Sequence, residues 1–266
     1  MKNVYLDYNI ILEIKKNNKF KKDILKYKKY FRFFYSPAHV EEIFKAKKSE
    51  YRNEISQLLE LLNELTDTWE LLPPPGILLG GFTVEREKIG IIEIQEKAEE
   101  CYKRIREWDT RDVIKDLSKM YLEQRNLSKI EEISNISFEE LFENEKVHKQ
   151  LREFSNKKSV SIDKYKKKYN EIKLDYDILE KVIELFFHFF NEIGYFTNRD
   201  KVEALSGIHD NTHCCYATKC DLLITTDNRF SRKCEAIYNF LDVKTKVKHI
   251  HYKEIRNISR ILEEEK

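Results

Sequence analysis

Two short apolar runs, Val4-Tyr5-Leu6-Asp7 and Leu222-Leu223-Ile224-Thr225-Thr226-Asp227, each end on an acid and pass straight into an amphipathic helical pattern. Strand followed by helix, repeated along a chain, is met by a parallel sheet with helical crossovers. The segments between agree. Phe31-Arg32-Phe33-Phe34-Tyr35 has the aromatic content of a strand, and Ser36-Pro37 behind it is a helix start, with Val40, Ile43 and Phe44 as the apolar stripe. A further helix over about 49–66 precedes a third strand, Trp69-Glu70-Leu71-Leu72, stopped by Pro73-Pro74-Pro75-Gly76, and a last strand is read at Lys246–Ile250. The first strand is placed at about 3–7 and the first helix at 9–28. The expected fold class is therefore α/β.

Beyond the proline run the character changes. Helical patterns rich in Glu and Lys cover roughly 85–126, 137–155 and 161–195, which gives a core in two parts, 1–75 and 199–266, around a mostly α-helical insertion, 76–198. Gly80-Gly81 is a hinge or a turn. Among 266 residues, 36% are charged and there are only six Gly and four Pro, a balance that disfavours an all-β fold. The net charge of +2 carries no signal for nucleic acid, so any such contact rests on local runs such as residues 15–29, with eight Lys against one Asp, and the Lys-rich 157–168. Five Cys without an apolar leader point to free thiols in a reducing cytoplasm. No run reaches the ~18 apolar residues of a membrane span.

In a parallel sheet, ligands bind beyond the carboxyl ends of the strands, and Asp7 and Asp227 both stand at strand ends. Glu41 and Glu42 lie early in the helix that Ser36-Pro37 opens on the same edge. Asp210, in His209-Asp210-Asn211-Thr212-His213, is expected at the start of a helix whose amide donors favour a carboxylate. Four carboxylates ~4–5 Å apart repel by about 3–4 kcal/mol per pair at an effective dielectric of 20. Such a set calls for a cation, and all-oxygen ligation suits Mg²⁺ or Mn²⁺.

The ordered set Leu6-Asp7-Tyr8-Asn9, Ser36-Pro37-Ala38-His39-Val40-Glu41-Glu42-Ile43, Asp210 through Ala217, and Leu223-Ile224-Thr225-Thr226-Asp227-Asn228-Arg229-Phe230 resembles the PIN-domain family of metal-dependent ribonucleases. The similar parts cover residues 1–75 and roughly 200–252. The resemblance implies a three-layer α/β/α fold and an endoribonuclease that hydrolyses phosphodiester bonds, toxin-like or RNA-processing. Asp7, Glu42, Asp210 and Asp227 would hold one or two Mg²⁺ or Mn²⁺ ions, Glu42 being selected over Glu41 by the aliphatic residue after it. Asn9 and Thr225 match polar positions that orient Asp7, Asp227 or the phosphate. Arg229 and Lys233 follow the last acid and can neutralise a phosphate oxygen. Tyr8 and the Lys of 15–29 would attract single-stranded RNA, the expected substrate. Compact members of the family lack the intervening helical residues, and this insertion is a place for a protein partner or a homodimer.

Two rival readings stay open on the residues. His209, His213, Cys214, Cys215, Cys220 and Cys234 crowd one region and include zinc-ligating types, although no CxxC pair occurs. A non-catalytic PIN-like scaffold that binds RNA or protein would keep the fold without the reaction.

Overall fold

The computed structural model describes residues 1–45, 52–74, 88–107, 128–158, 160–197 and 201–266. Strand β1 (Lys2–Leu6) runs into α1 (Tyr8–Lys16), and Asn17 then caps α2 (Asn18–Leu25) by accepting the Phe20 amide at 3.1 Å. The expected single helix over 9–28 is thus broken at Asn17, whose side chain competes for the backbone as Asn does at helix starts. Next come β2 (Phe31–Phe34), α3 (Pro37–Lys45) and α4 (Arg52–Thr66). Asp67 and Thr68, both at positive φ, turn the chain into β3 (Trp69–Leu72). They are followed by β4 (Ile92–Gln95), α5 (Ala98–Glu107), α6 (Glu145–Lys157), α7 (Tyr169–Ile172), α8 (Tyr176–Ile193) and α9 (Lys201–Ala217). The last elements are β5 (Leu222–Thr225), α10 (Asn228–Leu241), β6 (Lys246–His249) and α11 (Ile258–Glu264).

Four strands form one sheet in the order β2-β1-β5-β6, each neighbouring pair parallel, with Val4 opposite Phe33 on one side and Leu222 on the other. Strand β3 belongs to a second sheet, where it pairs antiparallel with β4. It also reaches the first sheet through one parallel bridge. The Tyr35 amide donates to the Trp69 carbonyl at 3.1 Å and the Leu71 amide to the Tyr35 carbonyl at 2.8 Å. Strand β4 corrects the helical expectation over 85–126: Ile92-Glu93-Ile94-Gln95 alternates with the period of a strand and satisfies the open edge of β3. The remainder of that expectation, over 85–87 and 108–126, and Gly80-Gly81, lie outside the described residues. The helical pattern over 137–155 starts only at Glu145, where Asn144 accepts two amides, and that over 161–195 resolves into α7 and α8.

Alternation along β1 sends side chains to opposite faces, so both faces need cover. Val4 and Leu6 join Phe31, Phe33, Leu222 and Ile224 in a core closed by Ile10, Ile14, Phe20, Leu62 and Leu262. Tyr5 joins Phe34, Leu71 and Leu223 in a second core closed by Phe186, Phe190, Tyr216, Ile237 and Phe240. Helices on both sides of a parallel sheet are compatible with a three-layer α/β/α arrangement. The segment read as an insertion supplies much of the second core. Phe186 of α8 meets Phe240 of α10 edge-on at 4.9 Å, and Phe142 meets the same ring at 5.0 Å. No helix among the described residues is long and apolar enough to cross a membrane.

A shared core has a measurable signature. Phe186→Ala leaves a cavity against fully buried neighbours and is expected to cost about 3–5 kcal/mol. Urea unfolding followed by far-UV circular dichroism and by fluorescence should move together as one transition; separate midpoints would mean that the helical segment and the sheet unfold independently.

Candidate functional site at the carboxyl edge of the sheet

The chain order reverses at β1, with β2 on one side and β5 on the other, and the crevice at such a switch point is where open α/β sheets bind ligands. Asp7 stands there. Its amide donates to the Ile224 carbonyl at 2.9 Å, which extends the β1–β5 pairing by one residue, and its carbonyl receives the first amides of α1. The carboxylate takes no part in capping that helix. It accepts instead the Thr225 hydroxyl at 2.6 Å and the Asn9 side-chain amide at 3.4 Å. Thr225 is fully buried, and its oxygen also accepts the Asp227 amide at 2.9 Å. One hydroxyl therefore ties the ends of two strands. Asp227 does cap its helix: Oδ1 accepts the Arg229 and Phe230 amides at 2.7 and 2.9 Å.

Adjacent residues on a helix diverge by about 100°, and α3 uses this to separate its two acids. Glu41 reaches His209 Nδ1 at 3.1 Å, while Glu42 reaches His213 Nε2 at 3.0 Å, one turn along α9. The charge of Glu42 bears on Asp7 and Asp210, whereas that of Glu41 bears on Glu180, Tyr216 and Cys101. Of the two, it is Glu42 that belongs with the strand-end acids.

Asp210 is not at a helix start. Helix α9 begins at Lys201, so Asp210 lies well inside it, where the backbone amides are already engaged and no helix terminus stabilises the carboxylate. Its pKa accordingly rises to about 8. Burial is the main cause, the Lys233 ammonium opposes it, and Asp227, Asp7 and Glu42 add to it. Asp7 is lifted to about 6, first by burial, then with His213 pulling it down, Glu42 pushing it up, the Thr225 hydrogen bond lowering it and Asp227 raising it. Each acid feels the others. Lys233 is buried with its ammonium 5.5 Å from the centre of the Phe187 ring, its pKa depressed by burial and pulled back by Asp210 and Asp227. It is thus an internal counter-charge rather than a surface lysine.

Below this cluster runs a buried polar chain that the sequence reading missed. Tyr5 Oη lies 2.7 Å from His213 Nδ1 and 2.6 Å from Ser36 Oγ. Ser36 donates its amide to His39 Nδ1 at 3.1 Å, so the hydrogen of that neutral ring sits on Nε2 and is given to the Leu6 carbonyl at 2.7 Å. Burial holds His39 neutral, with a pKa near 3. A signal was available: His209 and His213 are four apart, and Tyr5, between Val4 and Leu6 in the apolar run before Asp7, needs a partner for its hydroxyl.

Other expected contributors lie elsewhere. The Lys-rich 15–29 leads into the start of β2, the edge opposite the acids, and Lys16, Lys21, Lys26 and Lys28 pair with Glu13, Glu64, Asp23 and Asp67. In the second run, Lys166 and Lys168 pair with Glu143 and Glu171. Tyr8 packs partly buried against the first core. The zinc set does not assemble: Cys214, Cys215, Cys220 and Cys234 are buried, burial pushes Cys215, Cys220 and Cys234 well up toward the thiol form, and His209 and His213 face glutamates. Among the described residues, no three His, Cys, Asp or Glu side chains form a ready-made metal site of any kind. The chemistry of Asp7, Glu42, Asp210 and Asp227 nevertheless fits a hard divalent cation: oxygen donors only, with mutual repulsion that a cation would relieve.

No family model, curated protein or solved structure matches the chain.

The raised carboxyl groups set a pH dependence. Asp7 and Asp210 bind protons in the fold that the unfolded chain, near 3.8, releases; their contribution is full below about pH 4 and is lost as pH rises through about 6 and about 8. Asp210→Asn should therefore gain thermal stability relative to the natural chain between about pH 4 and 8, measured in EDTA. A difference that stays flat across that range would take Asp210 out of the cluster.

Proposed function

We propose that the chain is a PIN-like metal-dependent endoribonuclease that hydrolyses phosphodiester bonds of single-stranded RNA. The observation that carries this reading is the electrostatic convergence of Asp7, Glu42, Asp210 and Asp227 at the switch point. Support also comes from the parallel strand order β2-β1-β5-β6, in which Asp7 and Asp227 follow the ends of neighbouring strands. The choice of RNA rests on that resemblance alone.

Asp7, Glu42, Asp210 and Asp227 would hold Mg²⁺ or Mn²⁺, and such an ion, when bound, polarises a phosphate oxygen and lowers the pKa of its water. The protein's own groups do the rest. Thr225 fixes the Asp7 carboxylate by its 2.6 Å hydrogen bond, and Asn9 approaches the same oxygen. Asp210, whose pKa is lifted to about 8, would have to give up its proton to hold such an ion, which would couple binding to proton release near neutral pH. Lys233 offsets part of the negative charge of the crevice, which lets an anionic phosphate approach. Arg229, in the first turn of α10, stands next to cap Asp227 and offers a second cation for a phosphate oxygen.

A non-catalytic PIN-like scaffold that binds RNA or protein draws on one observation: Lys233 already places a cation among the acids. The readings part on metal. For the nuclease, Mn²⁺ at about 100 times its Kd stabilises the fold by about 2.7 kcal/mol and supports cleavage of labelled single-stranded RNA, and both are lost in Asp210→Asn. A natural chain that gains no thermal stability from Mn²⁺ and leaves RNA intact would sink the nuclease in favour of the scaffold.

A further inference from the structure

We propose that His213 and Tyr5 are positioning residues for Glu42, a role that rests on the metal reading given above. Asp7 and Asp227 are fixed by the backbone at the ends of β1 and β5 and by the Thr225 hydroxyl, whereas Glu42 projects from α3. An acid on a helix needs another anchor. His213 supplies one, with Nε2 at 3.0 Å from Glu42 Oε2. An ionised carboxylate only accepts, so that ring nitrogen carries the hydrogen.

The ring itself is held from behind. His213 is 2% exposed and Tyr5 is fully buried, and the tyrosine oxygen sits 2.7 Å from Nδ1. Tyr5 comes from the middle of β1, two residues before Asp7, and its hydroxyl is shared with Ser36 Oγ at 2.6 Å, at the mouth of α3. His39, from the first turn of the same helix, sets its ring 4.8 Å from both Tyr5, tilted, and His213, edge-on, and bonds to the Leu6 carbonyl. Glu42 is thereby referred back to the strand that carries Asp7. Two acids on separate elements are held at a fixed offset by a chain of hydrogen bonds, part-buried at Glu42 and buried behind it: Glu42, His213, Tyr5, Ser36, whose amide donates to His39, and the Leu6 carbonyl. Partners of this kind orient ligands and set their affinity, and their loss costs about 10–100-fold in metal binding.

Glu41 provides the contrast within the molecule. It too meets a histidine on α9, His209 Nδ1 at 3.1 Å, yet the other ring nitrogen of His209 is buried without a hydrogen-bond partner among the described residues. Among the described residues no hydroxyl backs that ring, and its glutamate bears on Glu180, Tyr216 and Cys101 rather than on the cluster. The backed histidine serves the acid that faces Asp7 and Asp210.

Calorimetric titration with Mn²⁺ tests this, with thermal unfolding of the metal-free proteins measured alongside. Tyr5→Phe keeps the ring and removes only the hydroxyl, and His213→Leu removes the donor; each should weaken Mn²⁺ binding about 10–100-fold and lower kcat with KM for RNA little changed. His213→Gln, which can present an amide N–H to Glu42, should recover most of the Mn²⁺ affinity. Variants that lose thermal stability while binding Mn²⁺ as the natural chain does would overturn the proposal and leave the network a purely structural one. A natural chain that takes up no Mn²⁺ overturns the metal reading and this inference with it, a failure visible before any variant is compared.

Discussion

The parallel pairing of β1 with β5 is the constraint on which the rest depends. It sets Leu6 opposite Ile224, so that Asp7 and Thr225 leave the sheet at the same height and a 2.6 Å hydrogen bond can join residues 218 positions apart. Every other part of the crevice is arranged around that seam. Helix α1 departs from one side of it and α10 from the other, and α3 and α9 close over the top through paired glutamates and histidines. The pairing holds because both faces of β1 are buried. A slip by one residue would exchange Tyr5 with Val4 and Leu6 between two differently shaped cores and would carry Asp7 out of register.

The seam concentrates negative charge in a place that excludes water. Burial alone favours protonated carboxyl groups, and mutual repulsion adds to it; the fold answers with one buried ammonium, several directed hydrogen bonds and a proton retained on Asp210 at neutral pH. That is a costly arrangement for a purely structural edge. The cation proposed above would relieve it.

The alternation of apolar strands with helices was legible in the sequence, as were the strand-end positions of Asp7 and Asp227, because a strand that stops on an acid before a helix is a local pattern. The strand β4 was legible in principle, since Ile92 and Ile94 alternate with Glu93 and Gln95, but it was hidden by flanking Glu- and Lys-rich helical periodicity. The depth of Asp210 in α9 was not legible, because residues 201–208 carry no strong start signal and the helix runs through Gly207. Lys233 could not be told from a surface lysine either, since its burial comes from Phe187 on a helix over forty residues earlier in the chain. The Tyr5, Ser36, His39 and His213 chain joins three segments, and no local pattern announces a contact of that kind.

The seam also orders events in time. While the chain is being made, β1 and β2 can pair as soon as residue 34 is free, but the partner for the other edge of β1 lies 218 residues on. At the ~5–20 residues per second of synthesis, that edge waits about 10–40 s. Through that interval Val4, Tyr5 and Leu6 present an apolar strand with unpaired amides and carbonyls, the form most prone to join a strand from another chain. The helices that fill the interval are therefore more than a crossover: until β5 arrives, whatever shelter the bare edge receives on its Tyr5 face has to come from them.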